Sequence, residues 1–117
     1  MSQRSYDETL TAPQGLPGLI QLQEGSVVSR TLVKKSTGTV TLFAFDGGEG
    51  LSEHSTPHDA LVQVLEGRAA ITVGGVAHQV EAGEVLLLPA DIPHAVHAPV
   101  PFKMLLTMIR EKQRDAG

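Results

Sequence analysis

The sequence predicts an all-β protein, a sandwich or barrel of about nine short strands. Three observations carry this. From Val27 onward the chain runs in short β-branched and apolar segments divided by turn residues. Val73-Gly74-Gly75-Val76 sets a Gly-Gly pair between two such segments, the residues whose positive φ angles close a two-residue hairpin. No segment carries a convincing helical apolar period.

In chain order, the first 25 residues are polar and punctuated by Pro13, Gly15, Pro17 and Gly18. They predict an extended lead-in over 1–26 with one short strand around Leu19 to Leu22. Val27 to Lys34 and Thr39 to Phe45 read as strands joined across Lys35-Ser36-Thr37-Gly38. After the glycine-rich link 47–50 come Leu51 to Thr56, a turn at Pro57-His58-Asp59, and Ala60 to Glu66, closed by Gly67. Ala69 to Val73 and Val76 to Val80 flank the hairpin. Val85 to Leu88 stops at Pro89, which cannot donate to a ladder, and His94 to Ala98 stops at Pro99 and Pro101. Lys103 to Ile109 is the last strand, and 110–117 reads as a charged tail with a frayed helical turn. The barrel is thus expected over 27–109.

A chain of 117 residues fits one domain. Its hydrophobic share of 41% and charged share of 19% are those of an ordinary soluble globular protein. The net charge of −4, with Lys and Arg scattered, gives no footprint for nucleic acid. The absence of cysteine excludes disulfides, thiolate metal sites and cysteine nucleophiles. It suits a reducing cytoplasm, and no segment approaches membrane-spanning length or a signal peptide. The glycine pairs are not a phosphate loop, because no lysine and helix follow them.

Two longer patterns then match a known family. Gly83-Glu-Val-Leu-Leu-Leu-Pro89-Ala-Asp-Ile-Pro93-His94 resembles the second cupin motif, with Asp91 where that motif usually has glycine and Ala98 where it ends in asparagine. Gly48 with His54 after five intervening residues, and Val64-Leu65-Glu66-Gly67, resemble the two ends of the first. The resemblance covers roughly 27–109 and implies a jelly-roll β-barrel, whose closure leaves few strand edges open.

Metal-binding cupins hold the ion inside the barrel with two histidines and a glutamate from the first motif and a histidine from the second. Carried onto this chain, the resemblance gives His54 and His94. The second histidine falls on Thr56 and the glutamate on Ala60. His58, four residues after His54, could turn inward and complete a three-imidazole site of His54, His58 and His94 suited to a divalent transition metal such as zinc, nickel or iron(II). The alternative is a solvated turn residue. Asp59 is expected to bond nearby backbone N–H groups of the turn, and Glu53 to face away from His54 by strand alternation. His97 is expected exposed or at an interface, and His78 in the core or at an interface.

The functions open at this point are a barrel binding a metal ion or small molecule, a metal-dependent oxygenase or isomerase, and a non-catalytic cupin with a metal-free site. Catalytic residues are not identified. Met104 and Leu106 are expected to line an apolar pocket. Several strands, Ala60–Leu65 among them, are apolar on both faces apart from Gln63. Both faces must then be covered, which predicts a homodimer, or else the first 25 residues folded over the outer face.

Overall fold

Turn residues divide the chain into nine strands, and antiparallel pairing assembles them into two facing sheets. The computed structural model describes residues 5–111. The strands are β1 (Val27–Lys35), β2 (Gly38–Phe45), β3 (Gly50–His54), β4 (Asp59–Glu66), β5 (Arg68–Val73), β6 (Val76–Glu81), β7 (Val85–Leu88), β8 (His94–His97) and β9 (Phe102–Ile109). One sheet has the order β1-β2-β9-β4-β7 and the other β3-β8-β5-β6. Sequence neighbours such as β2 and β3 lie in different sheets, the crossing pattern of a jelly roll. At the β5–β6 hairpin Gly74 and Gly75 take φ of 56° and 82° and close Val73 onto Val76.

Alternation along each strand decides what the barrel encloses. On β4, Ala60, Val62 and Val64 are buried, while Leu61 and Gln63 are exposed. The inward residues form one core with Phe45, Ala69, Ile71, Val96, Phe102 and Met104. Phe45 and Phe102, cross-strand partners on β2 and β9, stack with ring centroids 4.5 Å apart and planes at 6°. Met104 lies in this core and Leu106 packs against it.

Within the lead-in the expected strand near Leu19–Leu22 does not form. Two short 3-10 turns, Glu8–Thr11 and Leu16–Leu19, shape the segment instead. It meets the edge of β1 at Tyr6, which bridges Val33, and its later apolar side chains lie on the outer face of the five-stranded sheet. Ile20 is buried there with Leu32, Leu42 and Ala44, and Leu10, Leu16 and Leu19 pack around them. Burying a side chain such as Ile20 is worth about 2 kcal/mol. Arg30 ties the strap down, donating to the Asp7 carboxylate at 2.8 Å and to the Leu19 carbonyl at 2.8 Å. Hydrogen bonds from Thr9 and then Arg30 hold the Asp7 carboxyl down at about 2. Lys103, 8% exposed, reaches through to the Pro17 carbonyl at 2.8 Å, with Glu66 3.5 Å away. This strap covers part of the outer face. Leu61, Val85 and Leu87 stay outside it, 42%, 59% and 53% exposed.

Candidate functional site

Two imidazoles meet at the rim where β3 runs beside β8. His94 begins β8, and its side chain shares the inward face with Val96, so it is 7% exposed. His54 ends β3 and lies directly opposite His94. The rings stand edge to face with centroids 4.5 Å apart. Strand periodicity alone does not produce this pairing. Leu51 packs on the core and pairs with Val96, so His54, three residues on, should face outward. A β-bulge between Leu51 and His54 sets three steps of β3 against two of β8 and restores His54 to the inner side.

Backbone carbonyls settle the tautomers. The Nδ1 of His54 lies 3.0 Å from the Ser52 carbonyl and that of His94 3.3 Å from the Ile92 carbonyl. A carbonyl only accepts, so each neutral ring carries its proton on Nδ1 and leaves the Nε2 lone pair unprotonated. Both rings therefore offer an acceptor. Burial lowers the His94 pKa below its ordinary 6.5, the Ile92 carbonyl opposes this, and the neighbouring His54 charge adds to the lowering.

A stability consequence follows with a definite sign. Below pH 6.5 an unfolded chain protonates this imidazole, while the folded chain resists until its lower pKa is reached. Stability from His94 is therefore intact above pH 6.5 and declines as pH falls from there through the folded value. Urea unfolding is expected to show wild type losing stability relative to His94→Gln between about pH 7.5 and 5.5. A difference that stayed constant across that range would contradict the buried neutral ring.

The other candidate positions lie elsewhere. β3 ends at His54 rather than Thr56, and Thr56 turns the chain, its hydroxyl bonding the His58 carbonyl at 3.1 Å and accepting from the His58 amide at 3.3 Å. His58 consequently lines a cleft of about 340 Å³ with Pro57, Asp59, Ala90, Asp91, Ile109 and Glu111. Among the described residues, no group of three or more His, Asp or Glu side chains is arranged to hold a metal ion. Ala60, at the carboxylate position, presents only a methyl group to the core. These donors do not fit an ion held by three protein groups.

Asp59 bonds a different loop rather than its own turn, its carboxylate accepting from the Ala90 amide after β7 at 2.8 Å. Asp91, at the motif's glycine position, takes φ of 66°, the one non-glycine residue with positive φ among the described residues. Its amide donates to the Thr56 carbonyl at 2.7 Å. Aspartate is among the few side chains that visit this region readily, so the turn keeps the glycine geometry. His97 is exposed. His78 is exposed too, not in the core: it pairs with Ile71, but β6 is the edge strand of its sheet and residues 76–79 lie in solvent.

The structure is thus an apolar jelly roll with two imidazoles side by side at its rim. The chain belongs to the cupin family: the Cupin domain model matches residues 41–109. A conserved protein of unknown function from Streptococcus pyogenes is 33% identical, with a TM-score of 0.84 over 87% of this chain and 90% of that one. A Cupin 2 conserved barrel domain protein from Leptotrichia buccalis is 43% identical, with a TM-score of 0.79 over 81% of this chain and 46% of that one. An uncharacterized protein of Streptomyces coelicolor is 41% identical over 59 residues, 50% of this chain and 56% of that protein. The chain thus spans little more than half of that curated relative. None of these names specifies a ligand.

Proposed function

We propose that this cupin binds a small molecule at the barrel rim, and that His54 and His94 recognise it through their two Nε2 lone pairs. The single observation behind this reading is the paired geometry: two imidazoles with ring centroids 4.5 Å apart, each with its Nδ1 beside a backbone carbonyl. The matching ligand brings hydrogen-bond donors, hydroxyl or amine, together with apolar atoms that tolerate the surrounding valines and leucines. With His54 open to solvent and His94 buried, one end of the ligand stays wet.

The same lone pairs favour a second reading. Imidazoles that ligate metals commonly donate their other nitrogen to a backbone carbonyl. Two such groups would hold a zinc, nickel or iron(II) ion only with further donors from water or a chelating ligand. His58 would join them only if its turn rearranged. Nothing in the arrangement requires catalysis. We place the protein in the cytoplasm on its lack of cysteine; among the described residues no helix is long and apolar enough to cross a membrane.

Proton–nitrogen spectra of the imidazoles test both readings. Against a panel of polyols, hydroxy acids and amines, and separately zinc and nickel salts, the Nε2 resonances of His54 and His94 are expected to shift together. The shift should vanish in His94→Ala. Saturation by metal alone would favour the ion, and unmoved resonances across every probe would remove the rim site.

The outer face carries a further expectation. With Leu61, Val85 and Leu87 left outside the strap, we infer that the protein is a homodimer.

A further inference from the structure

The homodimer inferred above fixes no contact surface, but the register of the outer sheet face does. One row of outward residues, one per strand, runs Lys35 (β1), Gly38 (β2), Ile109 (β9) and Asp59 (β4). Its pattern is cation, gap, knob, anion. Ile109 is 59% exposed. Around Gly38 lies an apolar hollow of about 200 Å³ walled by Val33, Val40, Thr107 and Ile109. On the other side of Ile109 lies the cleft of about 340 Å³ that Asp59, Asp91 and Glu111 make acidic.

Such a row is complementary to itself. A two-fold axis along the strands, midway between β2 and β9, exchanges β2 with β9 and β1 with β4. Each Ile109 then sits over the partner's Gly38 hollow, and each Lys35 over the partner's acidic cleft. Adjacent strands lie about 4.8 Å apart, so both contacts fall at equal distances from the axis, as an isologous interface requires.

The next row obeys the same axis. Tyr6, bridged to Val33, begins it, and Val33, Val40, Thr107, Leu61 and Leu87 follow on β1, β2, β9, β4 and β7. Rotation sets Tyr6 against Leu87, Val33 against Leu61, and Val40 against Thr107. That matches apolar to apolar across a row about 24 Å long. The chain after Glu111, Lys-Gln-Arg-Asp-Ala-Gly, holds no large apolar side chain to cover these rows itself.

We propose that a second copy of this chain docks here, with Ile109 in the Gly38 hollow and Lys35 in the cleft of Asp59, Asp91 and Glu111. The proposal rests on the homodimer reading, and its test separates the two. Sedimentation equilibrium of the full chain at micromolar concentration is expected to give twice the chain mass. Ile109→Asp should raise the dimer dissociation constant at least about 100-fold, because it sets a carboxylate in an apolar hollow. Lys35→Glu should raise it about tenfold at low salt, with the gap to wild type closing near 1 M NaCl as the repulsion is screened. Both side chains are exposed, so circular dichroism spectra unchanged from wild type will show that the variants fold. A wild type of single chain mass overturns the homodimer and this surface together. A wild-type dimer indifferent to both substitutions keeps the homodimer and overturns this surface.

Discussion

Gly67→Ala is expected to destabilise the barrel by about 3 kcal/mol, lowering the melting temperature by roughly 10 °C. Gly67 is the single residue between β4 and β5, where the chain leaves one sheet for the other. Its φ of 75° is left-handed, and a Cβ there would overlap the Pro101 carbonyl oxygen while lying 2.9 Å from the Cβ of Phe102. The backbone conformation alone costs an alanine about 1–2 kcal/mol. The overlap adds to this because its partner is backbone and cannot swing aside. The lower entropy of an unfolded alanine chain returns at most about 1 kcal/mol. Urea and thermal unfolding measure the sum, and a midpoint within about 2 °C of wild type would show that the crossing is not held as described.

Phe102→Ala is expected to cost about 4 kcal/mol. Phe102 is 1% exposed and its ring stacks on Phe45, so truncation leaves a cavity between two sheets whose ladders resist collapse. Phe102→Leu, which keeps much of the volume, should cost under half as much. Calorimetry of the pair separates packing from mere hydrophobicity, since both substitutions keep the site apolar. Equal losses in the two variants would mean that the retained volume recovers nothing and that the stacked ring itself carries the contribution.

These positions differ in how plainly the chain announces them. The nine strands were legible because Gly, Pro and Asp interrupt every apolar run, and a strand needs little more than such a run with a stop at each end. Gly67 was legible as a closing residue from its place after Glu66. The strap was not. Leu10, Leu16, Leu19 and Ile20 have no regular period, because the segment follows the contour of a sheet rather than joining it. Lys103 gave no signal either: a lone lysine at a strand start reads as exposed, yet here a carbonyl from 86 residues earlier receives its ammonium group.

At the rim, His54 and His94 were legible together through the motif spacing, because each marks the end of a strand in the same sheet. The orientation of His58 was not. Extending β3 to Thr56 would have carried it toward the pair, whereas the Thr56 hydroxyl takes the His58 backbone and turns the chain two residues sooner. Asp91 shows the reverse case, where an apparent departure from the motif preserves its backbone shape.

The bulge in β3 also makes the chemistry of the rim a matter of reading frame. β3 is an edge strand, bonded only to β8, so its register is the least anchored in that sheet. With the extra residue straightened out and Leu51 still opposite Val96, Glu53 would stand opposite His94 and His54 would face outward. One slipped residue would exchange a neutral lone-pair donor for a carboxylate without disturbing a single core contact of Leu51. A one-residue insertion beside Ser52, with the bulge kept, would make the same exchange permanently, whereas a one-residue deletion there would pair His54 with His94 without a bulge. The barrel thus carries, in one short edge strand, a place where a single residue decides which side chain faces His94 while the core stays the same.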